Sequence, residues 1–252
     1  MNENITTIVE NYSLPSKGQV YAKLIDPEVK LRSMTTAEEM KRLAVTDKPY
    51  EQMSSIIEDC LIKKLGMPVY DLCLGDYQYL LHKLRVVTYG PEYKVSVVCP
   101  ICGEVFEHTI NLDELKVLEY KPELQEKFKL TLPKTGHKIE FRLQTPRDLD
   151  RIDNRKAEMK KQFPDMVGDP TIILSIISVL KSIDGDPINP FTAEEFIKKL
   201  PMRDTNKLLK VSGEIQDAIG VETSIPCECP HCKSKIKTPF RFTSEFFRPE
   251  DD

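Results

Sequence analysis

The chain has 252 residues, with 36 basic against 40 acidic side chains and a net charge of −4. That length supports one sizeable core or two small ones, and the mild acidic balance excludes a dedicated nucleic-acid coat or a polybasic membrane anchor. The longest apolar run, Thr171 to Leu180, is about half the ~20 residues that cross a bilayer, so it reads as a buried helix and no transmembrane segment is expected.

Residues 1–34 show no helical period. Leu14-Pro15-Ser16-Lys17-Gly18 is a turn signal leading into an extended stretch at Val20-Tyr21-Ala22. An arm of this kind buries little alone, so it lies across the domain or meets another chain. Thr35 and Glu38 form a capping box for a short helix to about Leu43. Met53, Ile56, Ile57, Cys60 and Leu61 then recur at helical spacing, closed by Gly66, which makes Cys60 a core thiol. A third helix carries Tyr77, Leu80, Leu81 and Leu84, with His82 off the stripe and expected in solvent. These three helices form a small bundle.

A hairpin follows. Tyr93, Val95 and Val97 alternate with polar residues on the way in, and Phe106, His108, Ile110 and Leu112 on the way out. His108 falls on the more apolar face, where a core or edge histidine is expected. A second strand pair spans 127–143 around a Pro133-Lys134-Thr135-Gly136 turn and ends the β-rich part. Residues 147–162 mix both charge signs and read as a solvated helix or one lying against a partner, the solvated reading preferred, and the apolar helix occupies 170–183. The Asp184-Gly185-Asp186-Pro187 turn lacks the further ligands of a calcium loop. Thr192 and Glu195 cap the next helix, and a last one starts at Asp204, turns Leu208, Val211, Ile215 and Ile219 inward and stops at Gly220. The closing hairpin has Ile236, Phe240 and Phe242 on one face.

Two cysteine stretches organise all of this: Cys99-Pro100-Ile101-Cys102-Gly103 and Cys229-Pro230-His231-Cys232-Lys233. Each spacing aims two sulfurs at one point from a tight turn between strands, and two such knuckles make a closed four-thiolate zinc site with ligands Cys99, Cys102, Cys229 and Cys232. About 126 residues lie between the pairs, so the ion would close a long loop. A redox dithiol sits at a helix N-terminus, whereas strands flank both pairs here. A disulfide framework is disfavoured by the odd total of seven cysteines and the absence of a signal peptide, and zinc thiolates fit a reducing cytoplasm. Cys227 could replace Cys229 as a ligand, but Cys229 mirrors Cys99 in spacing and in the proline that follows. His231 lies within its knuckle and reads as exposed.

An enzyme should show a nucleophile with its base, paired carboxylates or a phosphate-cradling glycine loop, and none is legible; a four-thiolate zinc has no open position for substrate. No enzyme is expected. Lys233, Lys235, Lys237 and Arg241, with Phe240 and Phe242, give a nucleic-acid-binding zinc ribbon its footing, against which stand Glu104, Glu107, Glu222 and Glu228.

Three features in order carry a resemblance. Leu14-Pro15-Ser16-Lys17-Gly18 with Tyr21, the Cys99–Cys102 knuckle followed by Asn111-Leu112, and the Cys229–Cys232 knuckle followed by Phe246-Phe247-Arg248-Pro249 resemble the T-even-type bacteriophage baseplate hub and hub-assembly proteins. The resemblance implies a part in building a contractile phage tail, as a hub subunit or an assembly factor, and supplies no catalytic residues. The expectation is therefore an α+β protein with an N-terminal helical bundle, two zinc-knuckle β-hairpins forming a zinc-ribbon-like site, and a mainly helical segment between them. Its parts are an extended arm (1–34), a helical region (35–90), a β-rich region with the first knuckle (91–145), a second helical region (146–220), and the second knuckle with its tail (221–252). Its partners are other tail or baseplate proteins, with neither membrane nor nucleic acid, and its location is the virion baseplate or the host cytoplasm during assembly. The alternatives are a tape-measure or tail-assembly chaperone absent from the virion, and a zinc-ribbon regulator that binds nucleic acid.

Overall fold

The structure is a computed structural model that describes residues 7–23, 25–163, 168–239 and 244–247. The chain begins with an antiparallel hairpin, β1 (Val9–Ser13) and β2 (Glu28–Arg32), in the register Val9 to Arg32. Between them the Pro15–Gly18 turn needs its glycine: Gly18 has φ +70, and an added Cβ would lie 2.3 Å from the Ile25 carbonyl oxygen. Ser16 is fully buried, and its backbone N–H donates to Asp76 at 2.9 Å while the Tyr21 hydroxyl donates to the same carboxylate at 2.6 Å. The arm thus lies across the domain. Val20 to Tyr21 continue the turn instead of forming a strand.

Helix α1 (Thr36–Arg42) starts with the expected capping box of Thr35 and Glu38, and Arg32 holds that glutamate at 2.7 Å. Helix α2 (Pro49–Cys60) ends directly at Leu61, before Gly66, and buries Ile56, Ile57 and Cys60. Its N-cap residue, Lys48, gives no side-chain cap. Helix α3 (Leu74–Tyr89) is enclosed on nearly every side. His82 is accordingly 1 % exposed, not in solvent, with Nε2 2.8 Å from the Leu112 carbonyl oxygen. Covering segments from distant parts of the chain close over a face that helical period alone marks as outer.

Strands β3 (Glu92–Val98) and β4 (Val105–Asn111) form the first knuckle hairpin. The short β5 (Val117–Leu118) follows, then α4 (Leu124–Lys127), β6 (Lys129–Thr131) and β7 (Lys138–Phe141). Helix α5 (Pro146–Gln162) is not merely solvated: it buries Asp148, Asp150 and Ile152. Asp150 accepts from the Tyr50 and Glu51 amides at 3.2 and 2.8 Å and from the Tyr70 hydroxyl at 2.9 Å, supplying the cap that α2 lacks locally.

Helix α6 (Thr171–Val179) stops earlier than the apolar run suggests. Leu180–Ile183 is a strand, β8, which pairs with β7 and with β9 (Asp186–Pro187), completing a four-stranded antiparallel sheet in the order β6-β7-β8-β9. Short apolar runs fit helix or strand equally, and pairing with β7 decides. Helix α7 (Pro190–Lys199) is capped by Asn189, whose side chain accepts from the Phe191 amide, in place of Thr192. Helix α8 (Met202–Gln216) begins two residues before Asp204 and ends before Gly220; Asp204 is instead buried and accepts from the Lys134 and Thr135 amides. Strand β10 (Gly220–Val221) pairs with β5, and β11 (Ser224–Glu228) and β12 (Lys235–Pro239) make the second knuckle hairpin.

Two main cores result. One joins Leu14, Val29, Ile56, Leu80 and Leu112 with Phe246 and Phe247; the other joins Leu132, Phe141, Ile176, Leu208 and Ile215. The mixed helix-and-strand architecture with its small hairpin sheets matches the expected class. Phe240, Arg241, Phe242, Arg248 and Pro249 lie outside the described residues.

Candidate metal centre

The two knuckle turns repeat each other bond for bond. In the first, the Cys99 amide donates to the Glu104 carbonyl at 2.9 Å and the Gly103 amide to the Cys99 carbonyl at 2.9 Å. In the second, Cys229 donates to Ser234 at 3.1 Å and Lys233 to Cys229 at 3.0 Å. Each turn reverses through a left-handed residue, Gly103 at φ 78 and Lys233 at φ 59.

The two turns face each other. Cys99 Sγ lies 3.7 Å from Cys232 Sγ and Cys102 Sγ 3.7 Å from Cys229 Sγ, and all four sulfurs lie within 4.8 Å of one another. Cys99 and Cys229 are buried, at 1 % and 0 % exposure, while Cys102 and Cys232 are exposed. The sequence pattern thus brings together the four residues it singled out. Cys227 lies outside this group: it is buried beneath it with Val97 and Ile236, flanked by Val95 and Phe106, in a small apolar collar. His231 is exposed. Among the described residues no other group of three or more His, Cys, Asp or Glu ligand atoms gathers in this way. The Asp184 carboxylate, in the loop read against calcium, is occupied by His137 Nδ1 at 2.6 Å and the Lys138 amide at 2.7 Å.

The donor set fits a metal ion. A tetrahedral zinc with Zn–S of about 2.3 Å would separate its sulfurs by about 3.8 Å, close to the closest approaches here, and all seven cysteines are free thiols. Crowding already splits the sulfurs. Hydrogen bonds with the Ser234 side chain and backbone draw the Cys232 thiol down to about 6. Against the pull of the Glu104 amide, lost hydration and the neighbouring sulfurs push Cys102 up to about 12. Four sulfurs this close resist carrying negative charge together, and a cation at their centre removes that resistance. Ser234 is the contributor that motif spacing alone does not reveal; its signal is position, matching Glu104 in the other turn.

The footing for nucleic acid is thin. Lys233, Lys235 and Lys237 are exposed, but Lys235 pairs across the strands with Glu228, and Glu104 and Glu107 are exposed on the facing knuckle. No helix among the described residues is long and apolar enough to cross a membrane. The family profile described as T4 bacteriophage base plate protein matches residues 5–248. No curated protein and no solved structure matches the chain.

Proposed function

The chain belongs to the T4 bacteriophage base plate protein family, and from that premise we propose that it is a hub subunit or hub-assembly factor that binds other tail proteins without catalysing a reaction. Its site in this reading is a structural zinc centre, zinc-ribbon-like in form, with Cys99, Cys102, Cys229 and Cys232 as ligands. The observation that carries the metal is the approach of two knuckles about 126 residues apart in sequence to within one coordination sphere. Bound zinc would supply cross-linking, not chemistry: four thiolates fill a tetrahedral shell and leave no position for substrate.

The proposal treats 1–34, 35–90, 91–145, 146–220 and 221–252 as segments of one assembly part, not as separately folding units. Pairing of β7 with β8 across residue 145 and the close crossing of α3 and β10 support this. In this reading the protein sits in the tail baseplate of the virion, which the family supports, or in the host cytoplasm while tails are built.

Mass spectrometry of tail intermediates and of finished virions from infected cells tests the role. Presence in both supports a hub subunit, presence in intermediates alone supports an assembly factor, and absence from both ends the reading. Metal analysis of the purified protein should return about one zinc per chain.

A further inference from the structure

The two knuckle hairpins pack on each other through one side only. Val97 and Phe106 of the first meet Cys227 and Ile236 of the second in the apolar collar beneath the sulfurs. Side chains alternate along a strand, so the residues between these point away from the neighbouring hairpin, and the paired unit has two outer faces on opposite sides. In the register of the first hairpin Val98 stands opposite Val105 and Ser96 opposite Glu107. In the second, Glu228 stands opposite Lys235 and Pro226 opposite Lys237.

These matched registers make each hairpin a control for the other. Inward positions are apolar in both, because both fill the collar. Outward positions diverge. Where the first hairpin has Val98, Ile101 and Val105, the second has Glu228, His231 and Lys235, and Glu107 is answered by Lys237. The second hairpin holds the same turn, bond for bond, with polar residues at these places, so neither the turn nor the sulfur group requires the aliphatic side chains of the first. They are nonetheless 64, 69 and 60 % exposed. Val98 and Val105 are direct cross-strand neighbours, and Ile101 sits in the turn that joins them, so the three make one continuous patch instead of scattered residues. A patch of this kind marks an interaction surface.

Charge selects what covers it. The outer face of the first hairpin, with its turn, carries Glu92, Glu104 and Glu107 against Lys94, which lies at the end away from the patch. The opposite face of the unit carries Lys233, Lys235 and Lys237 against Glu228, among exposed Pro226, Pro230 and Pro239. One face is acidic by the same margin that the other is basic. Among the described residues neither Glu104 nor Glu107 nor any of these three lysines is in an ion pair, and Glu222, at the base of the second hairpin, is occupied by Lys116 at 3.1 Å.

Within one chain the two faces cannot meet, because the collar lies between them. Between two chains they can. We propose that the first knuckle hairpin of one copy docks on the second knuckle hairpin of another, with Val98, Ile101 and Val105 against the prolines and Glu104 and Glu107 against Lys235 and Lys237. A contact between two different faces is head to tail, so it repeats from copy to copy into a ring or an open stack. Two hairpin faces are small, in the class of transient interfaces, and the association is weak until copies are concentrated. This contact goes beyond the proposed function, whose partners are other tail proteins.

Sedimentation velocity of the full-length, metal-loaded protein from about 10 to 500 µM tests it. The mean mass should climb past the dimer with concentration, and association should weaken by about tenfold between about 0.05 and 0.5 M salt. Val105→Lys, which gives the first hairpin the side chain that the second already carries there, should weaken association by about tenfold or more with zinc content and Tm unchanged. Two charge-reversed chains give the decisive comparison: one with Glu104→Lys and Glu107→Lys, the other with Lys235→Glu and Lys237→Glu. Each alone should stay monomeric, because its two faces then share one sign. Mixed in equal amounts, they should associate again by alternating. Monomer at every concentration gives the patch to a different protein and overturns the proposal; association that stops at a dimer, survives Val105→Lys or is not restored by mixing overturns it as well. None of these outcomes bears on whether the protein is found in tails, so failure here and failure of the wider reading are told apart.

Discussion

Lys233 holds a left-handed backbone that its counterpart Gly103 adopts without a Cβ penalty. For an L-residue that conformation costs roughly 1–2 kcal/mol, part of which glycine forfeits through greater freedom in the unfolded chain. Lys233→Gly should therefore raise stability by about 0.5–1 kcal/mol by calorimetry, with metal content unchanged; a lower Tm would refute the equivalence of the two turns. The cysteines divide in the same local way. Cys227 within β11 and Cys229 just past its end are both buried, but of these two the sulfur group includes Cys229 alone. Cys227→Ser should keep its metal, and Cys229→Ser should lose it, by direct metal analysis. The repeated Cys-Pro-x-Cys spelled out this much in the sequence, because a knuckle is set by residues within one turn. His82 was not legible, because what buries it comes from elsewhere. Burial, with Lys83 nearby, pushes its pKa down to about 4, while in the unfolded chain it returns to about 6.5. Between those values the unfolded state binds the extra proton, so this contribution is intact above about pH 6.5 and lost as pH falls towards 4, roughly 3 kcal/mol in all. Urea titrations at several pH values should show a shallower acid loss in His82→Gln than in the unsubstituted protein, and parallel curves would dismiss the effect.

At the scale of elements, existence was legible and ends were not. The capping box at Thr35 and Glu38 announces α1 because both partners sit within four residues. The cap of α2 is invisible in the same way that His82 is: Asp150 reaches it from about a hundred positions away in sequence. Removing that carboxylate leaves two amides and a tyrosine hydroxyl without their acceptor. Asp150→Ala should cost about 2–4 kcal/mol, with faster hydrogen exchange concentrated at residues 50–52; an unchanged exchange pattern would show that α2 is held by packing alone. The run from Thr171 to Ile183 is the same lesson in strands. Its apolar residues continue without a break through Leu180, past the end of α6 and into β8, and only the ladder to β7 separates the two elements.

At the scale of the whole molecule, a metal ion held between the knuckles would turn a long polypeptide into a closed loop. Cross-linking a loop of this length removes about 5 kcal/mol of unfolded-chain freedom, so chelation should lower the Tm by about 10 °C or more and broaden the transition. An unshifted Tm after verified metal loss would leave the clip without a structural role. A second closure needs no ion. Arg85, 1 % exposed, donates from Nε to the Phe246 carbonyl oxygen at 3.0 Å, and Phe246 and Phe247 fill the core that also holds Leu14. Phe246→Ala should cost about 3–5 kcal/mol, read as loss of protection in α3, far from it in sequence. That placement has a temporal consequence. At about 5–20 residues per second a ribosome finishes Phe247 roughly 12 to 47 seconds after Leu14, and throughout that interval the nascent bundle lacks two of its innermost rings. Stalled chains ending short of residue 244 should be cut by protease within α3, while released ones resist, so the protein comes of age only once translation has passed its final aromatics.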